Sequence, residues 1–131
     1  MRIRTVGLPV LDQEKAFNFY TEKLGFQVKH NIDLGNGHRW LTVVSPQEPD
    51  GAEISLEPGP DHHEPTKVYQ KALYDSGIPW TQFEVDSVDD EYNRLSALGV
   101  AFKTAPKNVG SAIMAVLSDT CGNYIALVQM L

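Results

Sequence analysis

The chain has 131 residues, 42% of them hydrophobic and 21% charged, which suits one packed domain of ordinary size. Eleven Lys and Arg against 17 Asp and Glu leave a net charge of −6, which excludes the basic stripe of a nucleic-acid binder and argues against an anionic membrane surface. No apolar run reaches membrane-spanning length, the opening MRIRTVGLPV is interrupted too soon for a signal peptide, and the single Cys121 permits no internal disulfide, so a cytoplasmic setting is expected.

Val6, Leu8 and Val10 alternate with Thr5, Gly7 and Pro9, the period of a first strand. A helix should follow over DQEKAFNFYTEKLG. Asp12 caps it, Glu14 sits in its first turn, Ala16, Phe17, Tyr20 and Leu24 form its apolar stripe, and Gly25 ends it. FQVKHNI, HRWLTVVS and GAEISLEP read as three strands, with turns at GNG (35–37) and EPDG (48–51). EPGPDHHEPT (57–66) reads as a loop, and PTKVYQKALYDSG as a helix with Pro65 in its first position.

The first pattern then returns. WTQFEVD is a strand, SVDDEYNRLSALG a helix, and VAFKTA, SAIMAVLSD and GNYIALVQM are three more strands. Asp12 and Asp86 each precede a helix, and Leu24-Gly25 and Leu98-Gly99 each end one, every pair 74 positions apart. EISL (53–56) matches YIAL (124–127) before the close of each half. The expected fold is α+β: two βαβββ modules, 1–58 and 79–131, joined by a helical linker over 59–78, in a single domain spanning 1–131. The alternative is one α+β sandwich with a chance echo.

VLDQEKAFNFYTEKLGFQV in the first half, and VDSVDDEYNRLSALGVAF with LSDTCGNYIALVQ in the second, resemble the vicinal oxygen chelate superfamily of glyoxalases, bleomycin-resistance proteins and extradiol dioxygenases. The resemblance implies that the modules form a curled mixed sheet, a cup that holds the ligand, with helices on its outer face. It also implies a homodimer. Superfamily enzymes usually bind a divalent metal through His or Glu in the cup. Carried over by position, those ligands fall here on Thr5, Ser55, Trp80 and Ala126. Indole offers only an N–H donor, alanine offers nothing, and hydroxyls alone are weak ligands, so no metal and no other cofactor is expected.

Alternation alone puts one set of residues in phase with these positions: Thr5, Gly7 and Pro9; Glu53, Ser55 and Glu57; Trp80, Gln82 and Glu84; Tyr124, Ala126 and Val128. The opposite phase, Ile54, Leu56, Phe83, Val85, Ile125 and Leu127, is apolar, as a helix-covered face requires. On HRWLTVV both phases are apolar, so either Trp40 or Leu41 could face the cup. The expected ligand-binding residues are Trp80, Gln82, Glu84, Glu53, Ser55, Glu57, Tyr124 and Thr5. Trp80 and Tyr124 would stack on a planar or cationic small molecule, and the glutamates would lend negative potential. Against this stands a solvated rim of glutamates with Trp80 as a plug.

The leading expectation is a metal-independent small-molecule-binding protein of the bleomycin-resistance type. A second is a metal-dependent lyase or dioxygenase using displaced ligands such as Glu53, Glu57 and His38. A third is a protein partner covering the cup. Whether the chain is an enzyme stays open on sequence. His62 and His63 are adjacent and diverge, which fits a solvated loop, and Cys121, with no base beside it, fits a structural turn.

Overall fold

The computed structural model describes residues 1–131. It is a mixed α+β fold holding two four-stranded mixed sheets, in the βαβββ pattern expected from the repeat. The chain divides into two compact units, Met1–Tyr69 and Gln70–Leu131. No helix is long and apolar enough to cross a membrane.

The first unit runs β1 (Thr5–Pro9), α1 (Gln13–Asn18), a π-helical turn (Phe19–Lys23), β2 (Gln27–Asp33), β3 (Arg39–Val44), β4 (Glu53–Glu57) and the short α2 (Gly59–His62). Its sheet has the order β1-β4-β3-β2, with β1 parallel to β4 and the other pairs antiparallel. A parallel pair needs a crossover, and α1 supplies it. Asp12 caps α1 by accepting from the Lys15 amide at 2.9 Å, as expected. The expected single helix is instead broken at Phe19, where the hydrogen bonding lengthens: the Leu24 amide reaches back five residues to the Phe19 carbonyl. Thr21 contributes by turning its hydroxyl onto the Phe17 carbonyl at 2.7 Å. The wider turn buries Phe19 and Tyr20 together, edge to face at 5.4 Å. Leu8, Val10, Leu41, Val43 and Leu56 complete this core. α2 was expected to be loop.

The second unit contains the greater part of α3 (Glu64–Asp75), then β5 (Thr81–Glu84), α4 (Val88–Ala97), β6 (Phe102–Asn108), β7 (Ala112–Ser118) and β8 (Tyr124–Met130). Its sheet order, β5-β8-β7-β6, repeats the first, with β5 parallel to β8. Val88 and Leu95 of α4 are buried with Leu117, Ile125 and Leu127. The cap of α4 is Ser87, accepting from the Asp90 amide, and not Asp86 as the 74-residue offset suggests.

At the other end of the two helices the offset is kept. Gly25 and Gly99 both lie at positive φ, +85° and +86°, with open space around an added Cβ. Only backbone strain therefore opposes a side chain there. Gly25→Ala and Gly99→Ala should each cost about 1 kcal/mol, a matched pair of midpoint shifts in urea denaturation at unchanged slope.

Candidate ligand-binding site

In each unit the parallel pair stacks the in-phase residues expected from alternation. Thr5, Gly7 and Pro9 stand opposite Glu53, Ser55 and Glu57, and Gln82 and Glu84 stand opposite Ala126 and Val128. Directly opposed residues share a face, so these sets line the face away from α1 or α4. Leu56, Ile125 and Leu127 on the other face are buried, with Ile54, Phe83 and Val85 partly so. The register also decides the ambiguous strand. Thr42 opposes Ser55, and Trp40 is in phase with Thr42, so Trp40 faces with Ser55 and is 38% exposed, while Leu41 is buried beneath the helix.

A β-bulge places the one histidine on this face. Val28 opposes Val43, and two residues on His30 opposes Thr42, so β2 carries one extra residue at Lys29. Without it His30 would oppose Leu41 on the helix side. With it, His30 Nδ1 lies 2.9 Å from Glu53 Oε1 and 3.0 Å from Thr42 Oγ1. The Thr42 hydroxyl donates to the same Glu53 oxygen at 2.7 Å. Arg4 approaches the other carboxylate oxygen at 3.6 Å. The Thr42 hydrogen bond, then the His30 hydrogen bond and charge and the Arg4 charge, hold the Glu53 carboxyl below its ordinary 4.5 against the opposing effect of burial. Trp40 stands beside His30, ring centroids 6.3 Å apart. His30, Thr42, Trp40 and Arg4 were not among the expected site residues. Nothing in the local sequence marks the bulge.

The other expected residues are placed as follows. Thr5 and Glu57 are exposed, and Ser55 is buried. In the second unit Gln82 and Glu84 are exposed, Ala126 is buried, and Trp80 is partly buried with its amide on the Tyr124 carbonyl at 2.8 Å. Tyr124 is already stacked, ring to ring with Tyr74 at 4.3 Å and 3°, and Lys103 Nζ lies 5.3 Å from its centroid. The Tyr74 hydrogen bond, with burial and the Tyr74 charge, raises the Tyr124 hydroxyl above its usual range.

The four positions that the resemblance assigns to metal ligands hold two hydroxyls, an indole and a methyl, a donor set that does not fit a divalent cation. Nor do Glu53, Glu57 and His38 converge: no three His, Cys, Asp or Glu side chains are grouped to hold a metal. His38 lies instead beside His62, centroids 4.8 Å apart with the rings tilted by 36°. His38 lines a cavity of about 280 Å³ at the start of α1, where Glu14 pairs with Arg39 at 2.8 Å and Gln13 bonds the Arg39 and Leu56 carbonyls. Cys121 is buried in the β7–β8 turn, its amide on Asp119 and its carbonyl accepting from Gln70.

The fold agrees with the comparisons. Residues 2–127 match the Glyoxalase/Bleomycin resistance protein/Dioxygenase superfamily, and the chain belongs to it. It is 46% identical to YurT of Bacillus subtilis (strain 168) over 129 residues, 98% of this chain and 99% of that one. Among solved structures it is similar to UcmS2, with 34% identity and a TM-score of 0.82 over 98% and 97% of the two chains. It is also similar to TnmS3, an antibiotic binding protein from Streptomyces sp. CB03234, with 28% identity and a TM-score of 0.74 over 100% and 97%.

The Glu53 cluster makes stability depend on pH. Its carboxyl is held below the ordinary value in the folded chain, so its contribution is complete above about 4.5 and is lost as pH falls through the lower folded value. Wild type should melt above Glu53→Gln at pH 7, and the gap in Tm should close as the pH is taken well below 4.5.

Proposed function

We propose that this chain is a metal-independent small-molecule-binding protein of the antibiotic-binding kind. The observation that carries the reading is the face of the first sheet, where a half-exposed Trp40 and His30 stand over a buried, ionised Glu53. An aromatic wall with one placed polar group is the usual form of a small-molecule site. The likeness to an antibiotic binding protein, over 100% of this chain and 97% of that one, supports it. Metal independence is supported by the donor set at Thr5, Ser55, Trp80 and Ala126.

Ligand contacts on the face of the first sheet are assigned to the exposed in-phase Thr5 and Glu57, and the second sheet, taken by itself, offers Gln82 and Glu84 with Trp80 on its own face. Glu53 and Ser55 act from beneath, and Tyr124 acts through the stack it makes with Tyr74. Glu53 is compensated by Arg4 and His30, so Glu57 and Glu84 supply the negative potential for any cationic part of a ligand. A homodimer belongs to the same reading, since Val28 and Ile32 are exposed on the edge strand β2, where apolar side chains favour pairing with a second copy.

The test is titration of the metal-stripped protein with bleomycin and a set of planar aromatic antibiotics, followed by Trp fluorescence. Saturable quenching is expected without added metal, and Trp40→Ala and Trp80→Ala should each weaken binding at least about tenfold, or 1.4 kcal/mol. Stoichiometric metal in the purified protein, with binding only when it is present, would overturn the reading. Sedimentation equilibrium should give twice the 14.6 kDa chain mass.

A further inference from the structure

The hydrogen bonds around Glu53 settle which nitrogen is bare in the neutral form of His30. An ionised carboxylate only accepts, and the Thr42 hydroxyl spends its single hydrogen on Glu53 Oε1. Both groups within reach of His30 Nδ1, Glu53 Oε1 at 2.9 Å and Thr42 Oγ1 at 3.0 Å, can therefore only accept from it. Nδ1 must carry the hydrogen. In the neutral imidazole the remote nitrogen, Nε2, is then an acceptor with its lone pair unspent. No residue of the chain bonds Nε2, and the side chain is 34% exposed. The bulge at Lys29 and the buried glutamate thus hold an outward-facing acceptor next to the half-exposed Trp40.

We propose that His30 is the specificity-determining residue of this face, its Nε2 accepting the hydrogen bond of an acidic hydroxyl carried by a planar aromatic ligand that stacks on Trp40. This rests on the small-molecule-binding reading above and names the ligand class for that site. Two features favour an acidic hydroxyl over an amide or an ammonium group. A phenol or enol is the stronger donor towards imidazole. If its proton crosses from the ligand oxygen to Nε2, the products are a phenolate and an imidazolium, and the imidazolium already has Glu53 at 2.9 Å to balance it. A cationic donor would add net positive charge beside Arg4, whereas the phenolate and imidazolium together add none.

The experiment pairs 2-naphthol with 2-methoxynaphthalene, one ring system with and without the hydroxyl hydrogen, in calorimetric titrations. It also reads the His30 ring nitrogens by 15N NMR in the free protein. Wild type should bind the naphthol about tenfold tighter than the ether, and NMR should show a protonated Nδ1 and a bare Nε2. His30→Phe should bring the ratio to about one with the ether's affinity kept. His30→Gln, whose amide oxygen can accept, should restore part of the preference. Equal affinities in wild type, a preference that survives His30→Phe, or a hydrogen found on Nε2 would each overturn this inference while leaving the small-molecule reading standing. Neither naphthalene binding at millimolar concentration would overturn both.

Discussion

The parallel pairing of the first and last strands of each module governs the rest of the structure. Two parallel neighbours cannot be joined by a hairpin, so β1 and β4 are bridged by a helix and two intervening strands, and β5 and β8 likewise. The crossover helix covers one face of its sheet. That commits Leu8, Leu56, Ile125 and Leu127 to the core and turns Thr5, Glu53, Ser55, Gln82 and Glu84 the other way. One phase of each strand packs against the helix, and the other faces away from it.

On the face of the first sheet away from the helix, the cost of a buried carboxylate is met by three partners. Glu53 takes hydrogen bonds from Thr42 and His30 and the charge of Arg4. Such a group is stable only while all its neighbours keep their places, which makes the cluster rigid and orients His30. The second sheet treats its aromatic residue differently. Tyr124 is stacked flat against Tyr74 with a lysine near the ring, so its surface is largely occupied by the unit itself.

Short-range signals were readable residue by residue. The Asp12 cap, the strand alternation on β1, β4, β5 and β8, and the glycines at 25 and 99 each follow from the preferences of one or two residues, and each stands where expected. Because the same signals recur at a fixed offset, the module repeat was readable too, down to a one-residue slip at the Ser87 cap. The π-helical turn was not: Thr21 turns its hydroxyl onto the Phe17 carbonyl there, which the apolar stripe does not reveal.

What the sequence determined by itself was the pair of βαβββ modules and the superfamily. Period and residue type carry that information locally. Tertiary structure alone decided that Trp40 rather than Leu41 faces outward, that His30 and not His38 joins Glu53, and that Tyr124 is covered. The hydrogen-bond partners of Glu53 stand 11 and 23 residues away along the chain, and a single extra residue in β2 moves His30 from one face to the other. Register across strands is a property of paired backbones, and on strands whose two phases are equally apolar only the pairing can set it.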